Sequence, residues 1–280
     1  MFSRSFVRSS MGTLLAAFLL FFLYATPNAH AQEQKATTEA APADNSAADL
    51  HPVLIELFTS EGCSSCPPAD ALLEKLDEHQ PIRGAQLIVL SEHVTYWDHD
   101  GWKDPNSSDS LTDRQTDYEH ELGRGTPYTP QMIVDGTTEP RLNDPQQVKD
   151  ALLKAKDAPM IPVRIAGVTI DPQNPTVLHA HIEAAENPDK HTADVYVAVA
   201  LQRVETQVSK GENGGKHLSH VAVVQQLEKI GKLHKGKTFA QDVELKLKPG
   251  TDPKNIRVVT FVQESGPGKL LGAAQYKPAS

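Results

Sequence analysis

The chain contains two cysteines, Cys63 and Cys66, with two residues between them. A pair at that spacing can close a small disulfide, exchange it with another thiol, or hold a soft ion such as copper(I) between two thiolates. Zinc would need further His or carboxylate ligands from elsewhere in the chain. A purely structural disulfide is also open, although so short a loop removes little entropy from the unfolded chain and so gains little as a staple.

What the pair can do depends on the elements that carry it. The run His51-Pro-Val-Leu-Ile-Glu-Leu-Phe58 is β-prone with one charge, the pattern of a strand buried on both faces. After Cys66 come Pro67 and Pro68, tolerable only in a first helical turn, and then Leu72, Leu73 and Leu76 on one helical face. Ala85-Gln-Leu-Ile-Val-Leu-Ser91 follows as a second apolar strand. Strand, helix and strand together predict a parallel βαβ unit with the cysteines at the helix N-terminus. A thiolate there gains from unpaired backbone N–H groups and the positive end of the helix dipole, which lowers a thiol pKa from about 8.5. On this reading Cys63 is the exposed nucleophile and Cys66 the resolving thiol.

The stretch Val53-Leu-Ile-Glu-Leu-Phe-Thr-Ser-Glu-Gly-Cys-Ser-Ser-Cys-Pro-Pro-Ala-Asp70 closely resembles secreted bacterial proteins known only as domain of unknown function 1223. Ser91-Glu-His-Val-Thr-Tyr-Trp-Asp98, Thr126-Pro-Tyr-Thr-Pro-Gln-Met-Ile-Val-Asp-Gly136 and Gly211-Glu-Asn-Gly-Gly-Lys-His-Leu218 carry the same resemblance. It implies a thioredoxin-like N-terminal fold and no established activity. In thioredoxin-like proteins a cis proline faces the cysteines, and Thr129-Pro130 before a short apolar strand resembles that element. Thioredoxins also bury an acidic residue before the cysteines, where it helps to move the resolving thiol's proton. Glu56 resembles it in position, and its alternative is an ion pair with Lys or Arg beneath the sheet. Two departures stand out: Gly62 replaces the usual Trp, and Pro67 replaces the basic residue that often follows the pair. Glu61, close to Cys63, opposes thiolate formation.

A polar loop over residues 92–105 holds Trp97 and Trp102 together with His93, Asp98, His99, Asp100 and Asp104. It can form a lid over the cysteines or a peptide-binding wall, or simply pack on itself. With Thr129, the two tryptophans are the candidate substrate contacts. The His and Asp spacing matches no defined metal motif.

At the N-terminus, Arg4 and Arg8 precede the apolar run from Met11 to Ala25, and Ala29-His30-Ala31 then offers a cleavage site. Residues 1–31 therefore read as a signal peptide, too short in its apolar run to span a bilayer, and 32–50 as a disordered tether. Export favours a periplasmic or secreted location. Residues 51–158 are predicted to form the thioredoxin-like domain, with helices over 113–122 and 144–156. Residues 159–280 are predicted to be mainly antiparallel β, sandwich-like, with strands over 163–170, 177–184, 195–204, 239–247 and 258–262. Residues 221–230 are ambiguous between strand and helix. His179 and His181 share a strand face, and 211–215 reads as a glycine-rich hairpin turn.

The formal charge of −9, without a basic run, disfavours nucleic acid. No cofactor is called for. The leading expectation is thiol–disulfide exchange with a thiol- or disulfide-bearing protein. The rivals are a binding module with a permanent disulfide and a copper(I)-handling protein.

Overall fold

The computed structural model describes residues 50–99 and 101–278, all within one compact unit. The predicted signal peptide and nearly all of the tether lie outside them. Strand β1 (His51–Thr59) leads through the cysteine turn into helix α1 (Pro67–His79) and on to β2 (Ala85–His93). These two strands pair in parallel, from His51 opposite Ala85 to Thr59 opposite His93. Helix α2 (Asp109–Glu121), strand β3 (Gln131–Val134) and helix α3 (Pro145–Lys156) follow. The Asp144 side chain caps α3, accepting from the backbone N–H groups of Gln146 and Gln147. The remaining strands are β4 (Val163–Ile170), β5 (Val177–Ala184), β6 (Ala193–Gln207), β7 (His217–Leu233), β8 (Phe239–Lys246), β9 (Ile256–Glu264) and β10 (Leu270–Tyr276). Helix α2 thus begins four residues before its predicted start, the ambiguous 221–230 segment lies in a strand, and β10 was not anticipated.

The expected architecture, an α/β thioredoxin-like domain followed by a separate β domain, is not what the chain forms. The described structure is mostly β, and seven strands from both halves make one mixed sheet in the order β10-β9-β6-β7-β2-β1-β3. The join is β2 to β7, parallel at Ser91 opposite Val223. Strands β4, β5 and β8 form a second, antiparallel sheet. Two strand edges that would each have been left unpaired satisfy one another across the expected boundary, which removes an exposed edge from each half.

Side chains on the two faces of β1 alternate between two cores. Val53, Ile55 and Leu57 meet α1, α3 and Val221 of β7, whereas Leu54 joins Leu111 of α2 and residues of β6, β9 and β10. A third core holds the small sheet against β6 and β9. The two halves also interlock at a turn. Gly136 (φ 73°) lies where a Cβ would fall 2.1 Å from the Gly268 carbonyl oxygen, so only glycine lets β3 leave against the β9–β10 hairpin.

Candidate functional site

Cys63 and Cys66 form a disulfide with their Cα atoms 5.4 Å apart. Cys66 is the N-cap residue of α1, with Pro67 and Pro68 opening the helix. The loop closes on itself: Cys63 N–H donates to Ser60 O at 3.1 Å, and Cys66 N–H to Cys63 O at 3.2 Å. Ser65 Oγ lies 3.4 Å from Cys63 Sγ. Both cysteines are completely buried, while Ser64 and Ser65 between them are exposed. Cys63 is therefore not the exposed sulfur that its sequence position suggested.

The helix N-terminus also offers less than expected. Pro67 and Pro68 have no N–H, and the next two, of Ala69 and Asp70, both donate to the Cys66 carbonyl at 2.8 and 3.1 Å. No first-turn donor is left for a thiolate, and only the helix dipole remains.

Both tryptophans of the 92–105 loop dock around the cysteine turn rather than only on each other. Trp97 sits in a 3-10 turn, Thr95–Trp97. A Cβ on Gly62 would lie 3.0 Å from both Cβ and O of Trp97, so the missing side chain at 62 lets the loop close on the turn. The Trp97 indole N–H donates to Thr129 Oγ1 at 2.7 Å, and the Thr129–Pro130 peptide is cis. Trp102 donates its indole N–H to Glu61 Oε2 at 2.9 Å. Thr129, Trp97, Trp102 and the cysteine turn thus form one continuous set of contacts.

Beneath the turn lies a buried group of histidines and carboxylates. His93, at the end of β2, pairs through Nδ1 with Asp104 Oδ2 at 2.7 Å, and the same Asp104 oxygen accepts Glu61 N–H at 2.8 Å. Asp70, in the first turn of α1, accepts from Thr59 Oγ1 at 2.8 Å and lies 3.7 Å from His220 Nδ1 of β7. The two imidazoles meet edge to face, with centroids 4.8 Å apart. One carboxylate thus links each histidine to one end of the cysteine turn. Burial works against a charged His93, yet Asp104, with Asp70 and Glu61 beyond it, outweighs burial and holds its pKa above the ordinary value. Burial likewise pushes Asp104 up, but the His93 charge and the N–H groups of Glu61 and Asn106 bring it down to about 2. His93 Nε2 and both ring nitrogens of His220 have no hydrogen-bond partner among the described residues.

Glu56 faces the other side of β1. Arg114 Nε donates to its Oε1 at 2.5 Å and the Tyr118 hydroxyl to its Oε2. Arg114 further donates to Gln263 Oε1 at 3.1 Å and lies over the Tyr118, Tyr196 and Phe261 rings. Glu92 is buried 3.8 Å from the same guanidinium. Burial and the neighbouring Glu56 charge hold it neutral far above the usual carboxylate range. The contacts of Glu56 are those of a buried ion pair with α2, on the face away from α1.

Two further residues contact the cysteine turn from the far half of the chain. Asn213, wholly buried at the tip between β6 and β7, donates its side-chain N–H groups to Glu61 O and Cys63 O, each at 2.9 Å. Glu212 accepts Ser64 N–H at 3.1 Å. Asp70, His220 and Asn213 were not singled out in the sequence. A His immediately before the apolar run 221–224, and an Asn between glycines in a motif shared with the family, were the available signals. Among the described residues no group of three or more His, Cys, Asp or Glu side chains is placed to hold a metal ion, and no helix is long and apolar enough to cross a membrane.

The family model described as "Protein of unknown function (DUF1223)" matches residues 54–263. A protein from Agrobacterium tumefaciens, solved by X-ray crystallography, is 27% identical. The match covers 81% of this chain and 95% of that one, with a TM-score of 0.62. A domain of the outer membrane lipoprotein Omp28 from Porphyromonas gingivalis is 11% identical over 43% of this chain and 91% of its own, and its TM-score of 0.24 carries no argument. No curated protein matches the chain.

Proposed function

We propose that this chain, which belongs to the DUF1223 family of proteins of unknown function, is an exported thiol–disulfide exchange protein. A disulfide that joins the N-cap residue of a helix to a cysteine three positions earlier supports this reading above all else. In the exchange, a thiolate of a partner dithiol attacks Cys63 Sγ. The Cys63–Cys66 bond breaks, its electron pair leaves on Cys66 Sγ, and a mixed disulfide remains at Cys63. The partner's second thiolate then attacks its own sulfur in that mixed disulfide and releases Cys63. The partner is oxidised by two electrons and the pair reduced by two, with the partner's two protons ending on Cys63 and Cys66; the reverse direction balances in the same way.

The surroundings set the expected direction. Strong oxidants of this kind gain from a stabilised thiolate. Here the first-turn N–H groups are used or missing, and Glu61 and Asp70 place negative charge on either side of the pair. The reduced form is poorly stabilised, so the pair should behave as a reductant, with a potential nearer about −270 mV than about −120 mV. Equilibration in glutathione and dithiothreitol buffers measures it, with insulin reduction as the turnover assay and Cys63→Ser as the inactive control. Full burial of both sulfurs favours the second reading, a permanent disulfide in a binding module. A potential far below about −300 mV with no turnover would establish that one instead.

A further inference from the structure

We infer that the tip between β6 and β7 is a gate on the Cys63–Cys66 disulfide, and that Asn213 and Glu212 decide which partners reach it. The inference rests on the exchange reading in assigning partners, but the gate itself can be tested without any partner.

Three observations carry it. Both sulfurs are wholly buried although the two residues between them are exposed. Asn213 is equally buried and spans the turn, with its amide donating to the carbonyl two residues before Cys63 and to that of Cys63 itself. Its own oxygen accepts from Lys216 Nζ at 2.8 Å, which fixes the amide's orientation. Glu212 adds a contact in the opposite sense, accepting from Ser64 N–H at 3.1 Å. The tip thus supplies donors to the turn's carbonyls and an acceptor to its N–H, the complement of an extended peptide strand.

The tip is also built to fold tightly and to come away as a unit. Gly214 N–H donates to Gly211 O at 3.0 Å, and Gly215 N–H to Val208 O at 2.9 Å. Gly211 and Gly215 take the positive φ values, 74° and 85°, that this turn requires. Apart from Asn213 and Val208, the segment 208–216 is exposed. Opening the disulfide frees the backbone of Cys63, the residue whose carbonyl Asn213 holds. A partner that displaces the tip must supply donors and an acceptor of its own, as an extended polypeptide does and a small thiol does not.

The test uses the whole protein. Hydrogen exchange across 208–216 is followed in oxidised and reduced wild type, with alkylation confirming that Cys63 and Cys66 are free thiols in the reduced sample. The rate of reduction by dithiothreitol is compared between wild type and Asn213→Ala. Reduction should raise exchange in 208–216 about tenfold or more while β1 and β6 stay protected, and Asn213→Ala should speed dithiothreitol attack by a similar factor, as expected when two amide hydrogen bonds are lost. Unchanged exchange in a fully reduced wild type would overturn the gate, whatever the variant does. So would an Asn213→Ala protein that keeps native exchange elsewhere and is reduced no faster than wild type. If the tip opens on reduction yet insulin is never turned over, the gate stands and the exchange function falls. Turnover with a tip that never opens has the opposite meaning.

Discussion

Two buried groups of charged side chains flank β1 and β2, and they are built on different terms. Around Glu56, both carboxylate oxygens accept hydrogen bonds, the Arg114 guanidinium donates to Glu56, Tyr118 and Gln263, and three aromatic rings cover its face. Around His93 and His220 the carboxylates are satisfied, but three imidazole nitrogens have no hydrogen-bond partner among the described residues. The first group ties α2 to β1 and β9 of the sheet, and every charge that it buries is compensated except Glu92, which is kept neutral. The second lies under the cysteine turn and leaves ring nitrogens of both histidines without hydrogen bonds among the described residues. A buried charge that is fully engaged serves the fold, whereas one with unused positions can still respond to its surroundings.

The largest effect should come from breaking the engaged group. Arg114→Met leaves the Glu56 carboxylate buried without a counter-charge, which typically costs about 3–5 kcal/mol. Urea unfolding should show that loss, and a decrease below about 1 kcal/mol would mean that Glu56 reaches solvent or takes up a proton at little cost.

Changes in pH should separate the two groups further. His93 is held above its ordinary 6.5, so its contribution is complete below that value and is lost as pH rises through its folded pKa. Glu92, raised far above 4.5, and Asp135, raised by burial to about 7, act in the same sense. Asp104, lowered to about 2, works oppositely: its contribution is present above about 4 and fades as pH falls toward 2. Stability should therefore peak in mildly acidic solution and fall toward pH 8. Glu92→Gln should flatten that fall through the first group and His93→Gln through the second. A His93→Gln protein with an unchanged slope in urea midpoints from pH 5 to pH 8 would show that the second group does not titrate there.

The contrast between the groups was partly legible in the residues. Pro67 and Pro68 placed the cysteines at the start of a helix, and the β-prone runs at 163–170 and 177–184 became β4 and β5 with unchanged bounds. Glu56 stood out as a charge in an apolar strand, but its partner Arg114 lies 58 residues away on another element. Periodicity reports which face a residue occupies and not which segment comes to meet it. The same limit hid the joining of β2 to β7, where Ser91 and Val223 pair across most of the intervening chain. The expected boundary near 158 marked a real change of pattern, from alternating helices to successive strands, yet the hydrogen bonds cross it. His220 was hidden for a further reason: beside four apolar residues it reads as the edge of a strand, and its burial follows only once α1 packs on β7.

The smallest effect should come from His220 itself. Its ring is buried, lies 3.7 Å from Asp70 and makes no hydrogen bond with the described residues. A buried polar atom without a partner lowers stability, so replacing the ring with an apolar side chain of similar reach removes a penalty and no bond. His220→Leu should therefore change stability by no more than about 1 kcal/mol in either direction, the balance between a relieved imidazole and an imperfect fill. Its edge-to-face contact with His93 and its 3.7 Å approach to Asp70 are the interactions forfeited among the described residues. A loss on the scale of Arg114→Met would mean that His220 and Asp70 hold one another as firmly as Arg114 and Glu56 do. The two groups would then be alike, and the cysteine turn would rest on a second locked ion pair.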